Sequence, residues 1–233
     1  MKKLFIPKTP YTIFAERDGF SFGIDAVLLS EFAKMKKGRV MAEIGAGTGF
    51  VSMRCFSLYK LEKVYGVEIQ EENIGLFEKS VFENGLQGKV VPVFKNINDF
   101  VLEQDALDYI VTNPPYYKKG SGLENKVKQD YLSRYEVEMK AEDIFIFAKK
   151  YLKVRGTLYM IHRPHRAVDL FYYGRKYKIE PKEMVPVVSR IGEECKMILL
   201  KFVKGGKEGF VIKEPFAIYE GSEYRDEVKA FYE

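Results

Sequence analysis

A turn of four residues carries the clearest chemical signal in this chain: Asn113, Pro114, Pro115 and Tyr116. An apolar run, residues 107–111, precedes it and is typical of a buried parallel strand. The turn therefore lies at the carboxyl end of a strand, where open α/β sheets bind their ligands. Both prolines lack a backbone donor, so the turn offers an amide side chain, carbonyl oxygens and an aromatic ring. We predict that it binds a planar group with an N–H donor; an ordinary strand-ending turn is the alternative.

A glycine-rich segment, residues 43–49, follows another predicted strand. Its glycines allow a tight turn and a close approach of a ligand to the backbone, next to the start of a helix. Glu68 lies 23 residues after Gly45, beyond the next strand, at roughly the spacing that binds a ribose diol. Phe50 stands where a dinucleotide fingerprint has its third glycine, and Glu43 would repel a pyrophosphate but attract an amine or a sulfonium. The segment favours S-adenosylmethionine; a nicotinamide cofactor or a plain loop is the alternative.

Composition and length limit the class of protein. The chain has 233 residues, of which 46% are hydrophobic and 30% charged, as expected for one α/β domain over residues 1–233. No apolar run is long enough to span a bilayer, and early prolines interrupt any signal-peptide core, so we expect a cytoplasmic protein. Cys55 and Cys195 are the only cysteines and are predicted to be free thiols. With only two histidines besides, we expect no metal site.

A basic segment covers residues 149–178. It contains nine lysine or arginine residues and one acid, Asp169, so its net charge is +8 while that of the whole chain is +5. Six aromatic residues are interleaved with these charges. Basic patches with aromatic neighbours are typical of nucleic-acid binding, whereas a solvated helix face is the alternative.

Strand-like and helical patterns alternate along most of the chain, which predicts a parallel sheet with right-handed crossovers. A proline at position 92 favours an edge place for the third strand. Two closely spaced runs near the carboxyl end favour an antiparallel pair. The predicted strands are 39–44, 63–67, 90–94, 107–111, 157–161, 185–188 and 197–203. One predicted helix begins near residue 50, and three others cover about 71–84, 141–152 and 165–177.

With both turns present in this order, the chain resembles the class I S-adenosylmethionine-dependent methyltransferases that act on exocyclic amines. The resemblance implies an α/β fold: a Rossmann-like, seven-stranded, mostly parallel sheet with an antiparallel C-terminal hairpin and helices on both faces. Residues 22–29, 66–70 and 113–117, with Ile218, Tyr219 and Tyr224, are similar to the bacterial tRNA adenine-N6 methyltransferases. Those enzymes modify adenine 37 of a valine tRNA. The similarity spans roughly residues 20–232.

The resemblance also implies roles for individual residues. Residues 1–38 would close the cofactor pocket, and the four-residue turn would be catalytic. Asn96 stands where the family usually has an acidic contact to the cofactor's adenine, with Asp99 nearby. The implied cofactor-binding residues are Gly23, Asp25, Glu43, Gly45, Gly47, Thr48, Gly49, Glu68, Ile69, Asn96 and Ile97. The candidates for tRNA contacts are Lys118, Lys119, Arg163, Arg166, Arg175 and Lys176.

The expected partner is tRNA, bound by a monomer without metal or membrane. Two related activities stay open, guanine-N2 methylation in ribosomal RNA and glutamine methylation in release factors, because each substrate offers an amine or amide to the same acceptors. About 38 residues precede the first strand of the predicted parallel sheet, fewer than the helical domain that glutamine methyltransferases carry there. A catalytically silent RNA-binding protein of the same fold is the alternative from another functional class.

Overall fold

The computed structural model describes residues 1–16, 22–114 and 140–233. The strands are β1 (Lys2–Phe5), β2 (Thr12–Ala15), β3 (Val40–Ile44), β4 (Lys63–Glu68), β5 (Val90–Phe94), β6 (Leu107–Thr112), β7 (Leu152–His162), β8 (Ile179–Val188), β9 (Cys195–Lys204), β10 (Val211–Ile212), β11 (Phe216–Ala217), β12 (Tyr219–Glu220) and β13 (Glu223–Tyr224). The helices are α1 (Ile24–Phe32), α2 (Phe50–Tyr59), α3 (Glu71–Glu83), α4 (Ala141–Tyr151), α5 (Ala167–Lys176) and α6 (Asp226–Lys229), and a 3-10 turn covers Pro164–Arg166.

The main sheet has the strand order β5-β4-β3-β6-β7-β9-β8. Strands β3 to β7 are parallel, and β9 is antiparallel to both β7 and β8. The predicted mostly parallel sheet with an antiparallel C-terminal hairpin is confirmed. Pro92 lies in β5 at the sheet edge, as predicted. No strand of the described residues pairs with the outer side of β5, so the missing N–H of Pro92 breaks no hydrogen bond between strands there. In the described part of the chain the sheet has nine strands instead of seven, because the two-residue strands β10 and β11 both pair with β8.

The sheet separates two hydrophobic cores because neighbouring residues in a strand point to opposite faces. In β3, Met41 faces one core and Ala42 the other. The first core contains the apolar sides of α1, α2 and α3 and of the β1–β2 hairpin. The second is formed with α4 and α5. Helices therefore cover both faces, and the parallel strands are buried on both sides, which explains their continuous apolar runs.

Two strands extend further than their apolar runs. β7 begins at Leu152 and not at 157, and β8 begins at Ile179 and not at 185. The added segments contain charged residues such as Lys153, Arg155 and Glu180, so a hydrophobicity pattern does not identify them as parts of strands. For β8 the cause is its position: it has only the short strands β10 and β11 on its outer side, so polar side chains there reach solvent. For β7 it is a register shift in its pairing with β6, between Leu107 and Tyr109, where Val154 and Arg155 are exposed. Within the described ranges, no helix is long and apolar enough to cross a membrane.

Candidate active site

The two predicted site turns are neighbours at the carboxyl edge of the sheet. Strands β3 and β6 pair in parallel, with Ile44 opposite Thr112, and the Thr112 hydroxyl donates to the Ile44 carbonyl at 2.9 Å. The next residues along the two strands are Gly45 and Asn113. The glycine turn and the asparagine turn therefore start side by side, as a transfer between two bound groups requires.

The glycine turn is fixed by its own backbone. The N–H groups of Gly45 and Ala46 both donate to the Val67 carbonyl at 3.0 Å. Gly45, Gly47 and Gly49 have positive φ angles of 73°, 54° and 88°. A Cβ on Gly47 would meet nothing within 4 Å, whereas a Cβ on Gly49 would lie 2.1 Å from the Phe77 ring. Gly47 thus borders open space that a ligand can enter, and Gly49 is a glycine because Phe77 packs against it.

Glu68 links the glycine turn to the end of β4. Its carboxylate accepts hydrogen bonds from the N–H groups of Gly47 at 2.7 Å and of Ile69 and Gln70 at 2.9 Å each. The residue is 1% exposed, so these contacts hold it in one orientation. A carboxylate only accepts hydrogen bonds, and beside the open space at Gly47 it fits a ligand that brings hydroxyl donors. These residues suit a ribose better than a phosphate, which would meet a negative charge.

Glu43 has a different environment from Glu68. It is 2% exposed, and the Ser52 hydroxyl donates to its Oε2 at 2.5 Å. Burial raises the pKa of Glu43 to about 8, although hydrogen bonds from Ser52 lower it in part. Glu43 therefore joins β3 to the first turn of α2, and its contact with a cofactor stays a prediction. Ser52 is absent from the residues predicted for the site; its position in the first helical turn after the glycines is the signal for it.

Asn113 is positioned by a residue from another part of the chain. Its Nδ2 donates to Oδ2 of Asp25 at 2.8 Å, and the two residues are 88 positions apart. Asp25 lies in the first turn of α1, and Asn113 is half-buried after β6. The resemblance implies that Asp25 binds the cofactor, and this stays a prediction; the structure places its carboxylate against the predicted catalytic amide. The predicted roles of Pro115, Tyr116, Lys118 and Lys119 fall outside the described residues.

The start of α1 also lies next to the glycine turn. Gly23 is the residue that precedes α1, and Phe22 stacks on Phe50 with ring centroids 4.1 Å apart. Phe50 is the first residue of α2, directly after Gly49. The amino end of α1 thus touches both turns, which supports the predicted closure of the pocket by residues 1–38; the closure itself stays a prediction.

The turns after β4 and β5 hold the remaining cofactor candidates. Lys95 N–H donates to the Glu68 carbonyl at 3.1 Å, which brings the end of β5 beside Glu68. The Asn96 side-chain oxygen accepts from Asn98 N–H at 2.9 Å. Ile69 is half-buried and Ile97 is buried. Asp99 is exposed while Asn96 is half-buried, so Asn96 is the better placed of the two for an adenine contact; this assignment stays a prediction.

The predicted tRNA contacts fall into two groups. Arg163 follows β7 and donates to the Lys196 carbonyl at 3.1 Å, and Arg166 lies 3.2 Å from Asp169. Both therefore lie near the carboxyl end of β7. Arg175 is at the far end of α5, paired with Glu180 at 2.7 Å. Glu180 of β8 pairs with Val203 of β9, and Val203 pairs in turn with Thr157 of β7, well before the carboxyl end of that strand. Arg175 therefore lies near the edge of the sheet opposite to Arg163.

Lys176 belongs to the same distal group as Arg175. Its ammonium donates to the Glu142 carboxylate at 2.6 Å, and this hydrogen bond raises the pKa of Lys176. The positive charges of Arg175 and Lys176 thus each have a carboxylate partner. Their predicted tRNA contacts, like those of Arg163 and Arg166, stay predictions.

Possible metal ligands and histidines add little to the site. In the described ranges, no group of three or more His, Cys, Asp or Glu side chains is arranged to hold a metal ion. Burial, with the charge of Arg166, lowers the pKa of His162 to about 4. His162 is therefore neutral at physiological pH.

Comparisons with known proteins agree with this geometry. The model of the methyltransferase small domain matches residues 12–171. A protein of Bacteroides thetaiotaomicron named tRNA1(Val) (adenine(37)-N6)-methyltransferase is 23% identical over 98% of this chain and 95% of its own length. A protein of the same name from Flavobacterium johnsoniae is 26% identical over 95% of this chain and 96% of its own length.

Solved structures share the fold. A predicted O-methyltransferase from Agrobacterium tumefaciens superimposes with a TM-score of 0.70 at 18% identity, over 89% of this chain and 95% of its own. Other solved methyltransferases of this fold contain S-adenosylmethionine or S-adenosyl-L-homocysteine. The Glu68 carboxylate and the open space at Gly47 suit that cofactor. This chain belongs to the methyltransferase small domain family, and it is a methyltransferase that uses S-adenosylmethionine.

Proposed function

We propose that this protein transfers a methyl group from S-adenosylmethionine to N6 of adenine 37 in a valine tRNA. The observation that carries the proposal is the placement of Asn113 beside Gly45, each one position beyond the last paired residues of β3 and β6, Ile44 and Thr112. An amide acceptor beside the cofactor turn suits an acceptor substrate that carries an N–H donor. The names of the two relatives, whose similarity to this chain covers nearly its whole length, favour adenine 37 of tRNA among such substrates.

The cofactor would lie across the ends of β3, β4 and β5. Glu68 would hold the ribose hydroxyls, and Ile69 and Ile97 would contact the adenine. Gly45, Gly47 and Thr48 would line the methionine end, with Gly23 closing the pocket from α1. When bound, the cofactor supplies an electrophilic methyl group on a sulfonium.

The protein's own contribution to the reaction is the position of the adenine amine. That amine is a poor nucleophile because its lone pair is delocalised into the ring. Hydrogen bonds from the amine to Asn113 Oδ1 and to the Pro114 carbonyl would direct the lone pair toward the methyl group. Pro115 would keep this turn stiff, and Tyr116 would stack on the flipped base. Positioning and fixed dipoles then accelerate the reaction without a covalent enzyme intermediate.

A transfer assay with matched RNA substrates tests the proposal. Labelled S-adenosylmethionine is incubated with the protein and unmodified valine tRNA, with the same tRNA carrying guanine at position 37, and with a release factor. We expect label in the first tRNA alone, and nucleoside analysis should place it in N6-methyladenosine. Label in the release factor or in the guanine-37 tRNA would overturn the proposed substrate.

The variant Asn113→Ala tests the role of the asparagine. We expect it to bind S-adenosylmethionine with a dissociation constant within about threefold of the wild-type value, because Glu68 and the glycine turn are untouched. Its kcat should fall by at least about 1000-fold, the order of effect seen when a fixed polar group that orients a reaction is removed. A variant that keeps wild-type kcat would contradict the mechanism.

A further inference from the structure

We propose that Asp25 is a positioning residue that fixes the orientation of the Asn113 carboxamide, so that its oxygen faces the substrate amine. This inference rests on the proposed function, since it assigns a partner to the same asparagine. It gives Asp25 a role in the reaction that is separate from cofactor binding. The observation behind it is the contact between Asn113 Nδ2 and Asp25 Oδ2, at 2.8 Å.

An isolated asparagine has two nearly isosteric orientations. Rotation of the carboxamide exchanges its oxygen with its NH2 group, and sterics alone hardly distinguish the two. For a substrate with an N–H donor, only the orientation with the oxygen toward the substrate is productive. The other orientation would present NH2 hydrogens to the amine and repel it.

The carboxylate of Asp25 removes this ambiguity. An ionised carboxylate has no hydrogen to donate, so only the NH2 side of Asn113 forms a hydrogen bond with it. The reverse orientation would place two acceptor oxygens against each other. The preferred orientation of the Asn113 carboxamide therefore follows from the hydrogen-bonding chemistry of the pair. It does not depend on distinguishing the amide oxygen from the amide nitrogen by their shape. With NH2 turned to Asp25, Oδ1 points to the other side of the amide.

Asp25 is itself held in place by α1. It lies in the first turn of this helix, where the positive end of the helix dipole stabilises a carboxylate. The following residues, Ala26–Leu29, are buried against the first core. Two tyrosine hydroxyls donate to backbone carbonyls in and just after α1: Tyr59 to Ser30 and Tyr159 to Lys34, each at 2.8 Å. The carboxylate is thus preorganised by packing that does not involve the cofactor turn.

Four variants test the pair. Asp25→Ala should lower kcat by about 10- to 100-fold, with the S-adenosylmethionine dissociation constant changed less than about threefold. Asp25→Asn should lower it less, by about 10-fold, because the new amide still offers an oxygen to Asn113. Asn113→Asp should lose activity strongly, since it puts two carboxylates in contact. The fourth variant is the exchange Asp25→Asn with Asn113→Asp.

The exchange variant gives the sharpest result. Its residue at 113 is a carboxylate that accepts from the amide at 25 and still presents an oxygen to the substrate. We expect its kcat to exceed that of Asn113→Asp alone by at least 10-fold. The exchange also relieves the contact between two carboxylates, so the melting temperature is measured beside kcat. Rescue of kcat beyond any recovery of stability supports the orientation role, whereas recovery of the melting temperature without recovery of kcat shows a purely structural role.

A control variant separates orientation from loosening of α1. Ser30→Ala removes a buried hydroxyl that accepts from Arg54 and donates to the Val27 carbonyl, on the same helix but away from Asn113. It should lower the melting temperature and leave kcat unchanged. If Ser30→Ala lowers kcat as much as Asp25→Ala, the orientation role is wrong.

The outcomes distinguish this inference from the proposed function. If Asn113→Ala abolishes turnover while Asp25→Ala keeps wild-type kcat, or if the exchange shows no rescue, the orientation role fails and the proposed chemistry stands. If Asn113→Ala stays active, the proposed chemistry fails and the orientation role fails with it. Loss in both alanine variants together with rescue in the exchange supports both.

Discussion

The two turns at the carboxyl edge of the sheet are built in different ways. The glycine turn is held by groups from its own strand–helix–strand unit: Val67 and Glu68 accept its N–H groups, and Ser52 bonds to the strand before it. Asn113 is held by Asp25, which lies 88 residues earlier in the chain. The cofactor side is thus assembled locally, whereas the substrate side depends on the docking of α1.

This difference separates affinity from catalysis. A disturbance within β3, β4 or α2 should change cofactor binding or global stability. Loss of the Asp25 side chain at the start of α1 should change turnover while cofactor affinity is kept. The five predictions below test this separation, from the largest expected effect to the smallest.

Removal of the Arg54 side chain should give the largest loss of stability. This arginine of α2 is fully buried and donates to Ser30 at 2.5 Å, to Glu31 at 2.7 Å and to the Phe231 carbonyl at 2.8 Å. Arg54→Ala leaves Glu31 with only the longer contact to Lys8 at 3.4 Å. It also removes the donor to the buried Ser30 hydroxyl, so it should lower the free energy of unfolding by about 3–4 kcal/mol. Urea denaturation measures it. Arg39→Ala, which removes an exposed partner of Asp108, should change it by less than about 1 kcal/mol. Equal losses would contradict the assigned role of Arg54.

Two glycines of the cofactor turn should differ in their tolerance of a methyl group. Both have positive φ, but only a Cβ on Gly49 meets the Phe77 ring. Gly49→Ala should lower the free energy of unfolding by about 3 kcal/mol, from backbone strain and overpacking together. Gly47→Ala should lower it by about 1 kcal/mol, from the strain alone. Thermal unfolding of the two variants without cofactor tests this, and a larger loss for Gly47→Ala would contradict the packing described.

The substitution Glu68→Gln should weaken cofactor binding. The carboxylate accepts three backbone N–H groups, and an amide in its place turns an NH2 group toward at least one of them. These contacts are present with and without cofactor, so their loss lowers stability; the effect on binding comes from the charged acceptor that the proposed ribose hydroxyls lose. A hydrogen bond to a charged group contributes about 1.5–3 kcal/mol, so the dissociation constant for S-adenosylmethionine should rise by about 10- to 100-fold. Calorimetric titration measures it. Glu72→Gln, on the exposed side of α3, is the matched control and should bind as the wild type does.

The buried Glu43 should make stability depend on pH. Burial raises its pKa in the folded state to about 8, while the unfolded state titrates near the ordinary value of 4.5. Between these values the native state holds a proton that the unfolded state has lost. This contribution is therefore fully present below pH 4.5 and is lost as the pH rises toward 8, at up to about 1.4 kcal/mol per pH unit.

The variant Glu43→Gln lacks this titration and serves as the reference. The difference in unfolding free energy between wild type and Glu43→Gln should shift in favour of the variant as the pH rises from 5 to 8. A difference that stays constant over this range would show that Glu43 is ionised in the folded protein.

The basic residues should give the smallest effect. Arg163→Ala with Arg166→Ala removes charges near the carboxyl edge, where the proposed site lies, and Arg175→Ala with Lys176→Ala removes charges near the opposite edge. The double variant at Arg163 and Arg166 should weaken tRNA binding about 10-fold and release one to two fewer counterions on binding, which lowers the salt dependence of the affinity. The double variant at Arg175 and Lys176 should change the affinity and its salt dependence less. Filter binding at several salt concentrations measures this. A larger effect from the second pair would place the tRNA on the other edge of the sheet.

Local patterns in the sequence predict much of the fold. Continuous apolar runs identify the parallel strands, and Pro92 identifies an edge strand. The glycine turn is predictable because its residues are contiguous. The start of β8 is not, because its polar residues near the sheet edge lack an apolar pattern. The contact between Asp25 and Asn113 is not predictable from spacing either, since tertiary packing alone brings α1 to the end of β6. The burial of Arg54 is not predictable for the same reason, because a charged residue in a helical pattern is expected to be exposed.

Methyl transfer into valine tRNA in a single turnover tests the central claim most directly. Excess protein is mixed with labelled S-adenosylmethionine and unmodified valine tRNA, and the label per tRNA and its nucleoside are measured for the wild type and Asn113→Ala. We expect one methyl group per tRNA, in N6-methyladenosine at position 37, with the wild type, and at least about 1000-fold slower transfer with the variant. Transfer to a different nucleotide, or equal rates for both proteins, would contradict it.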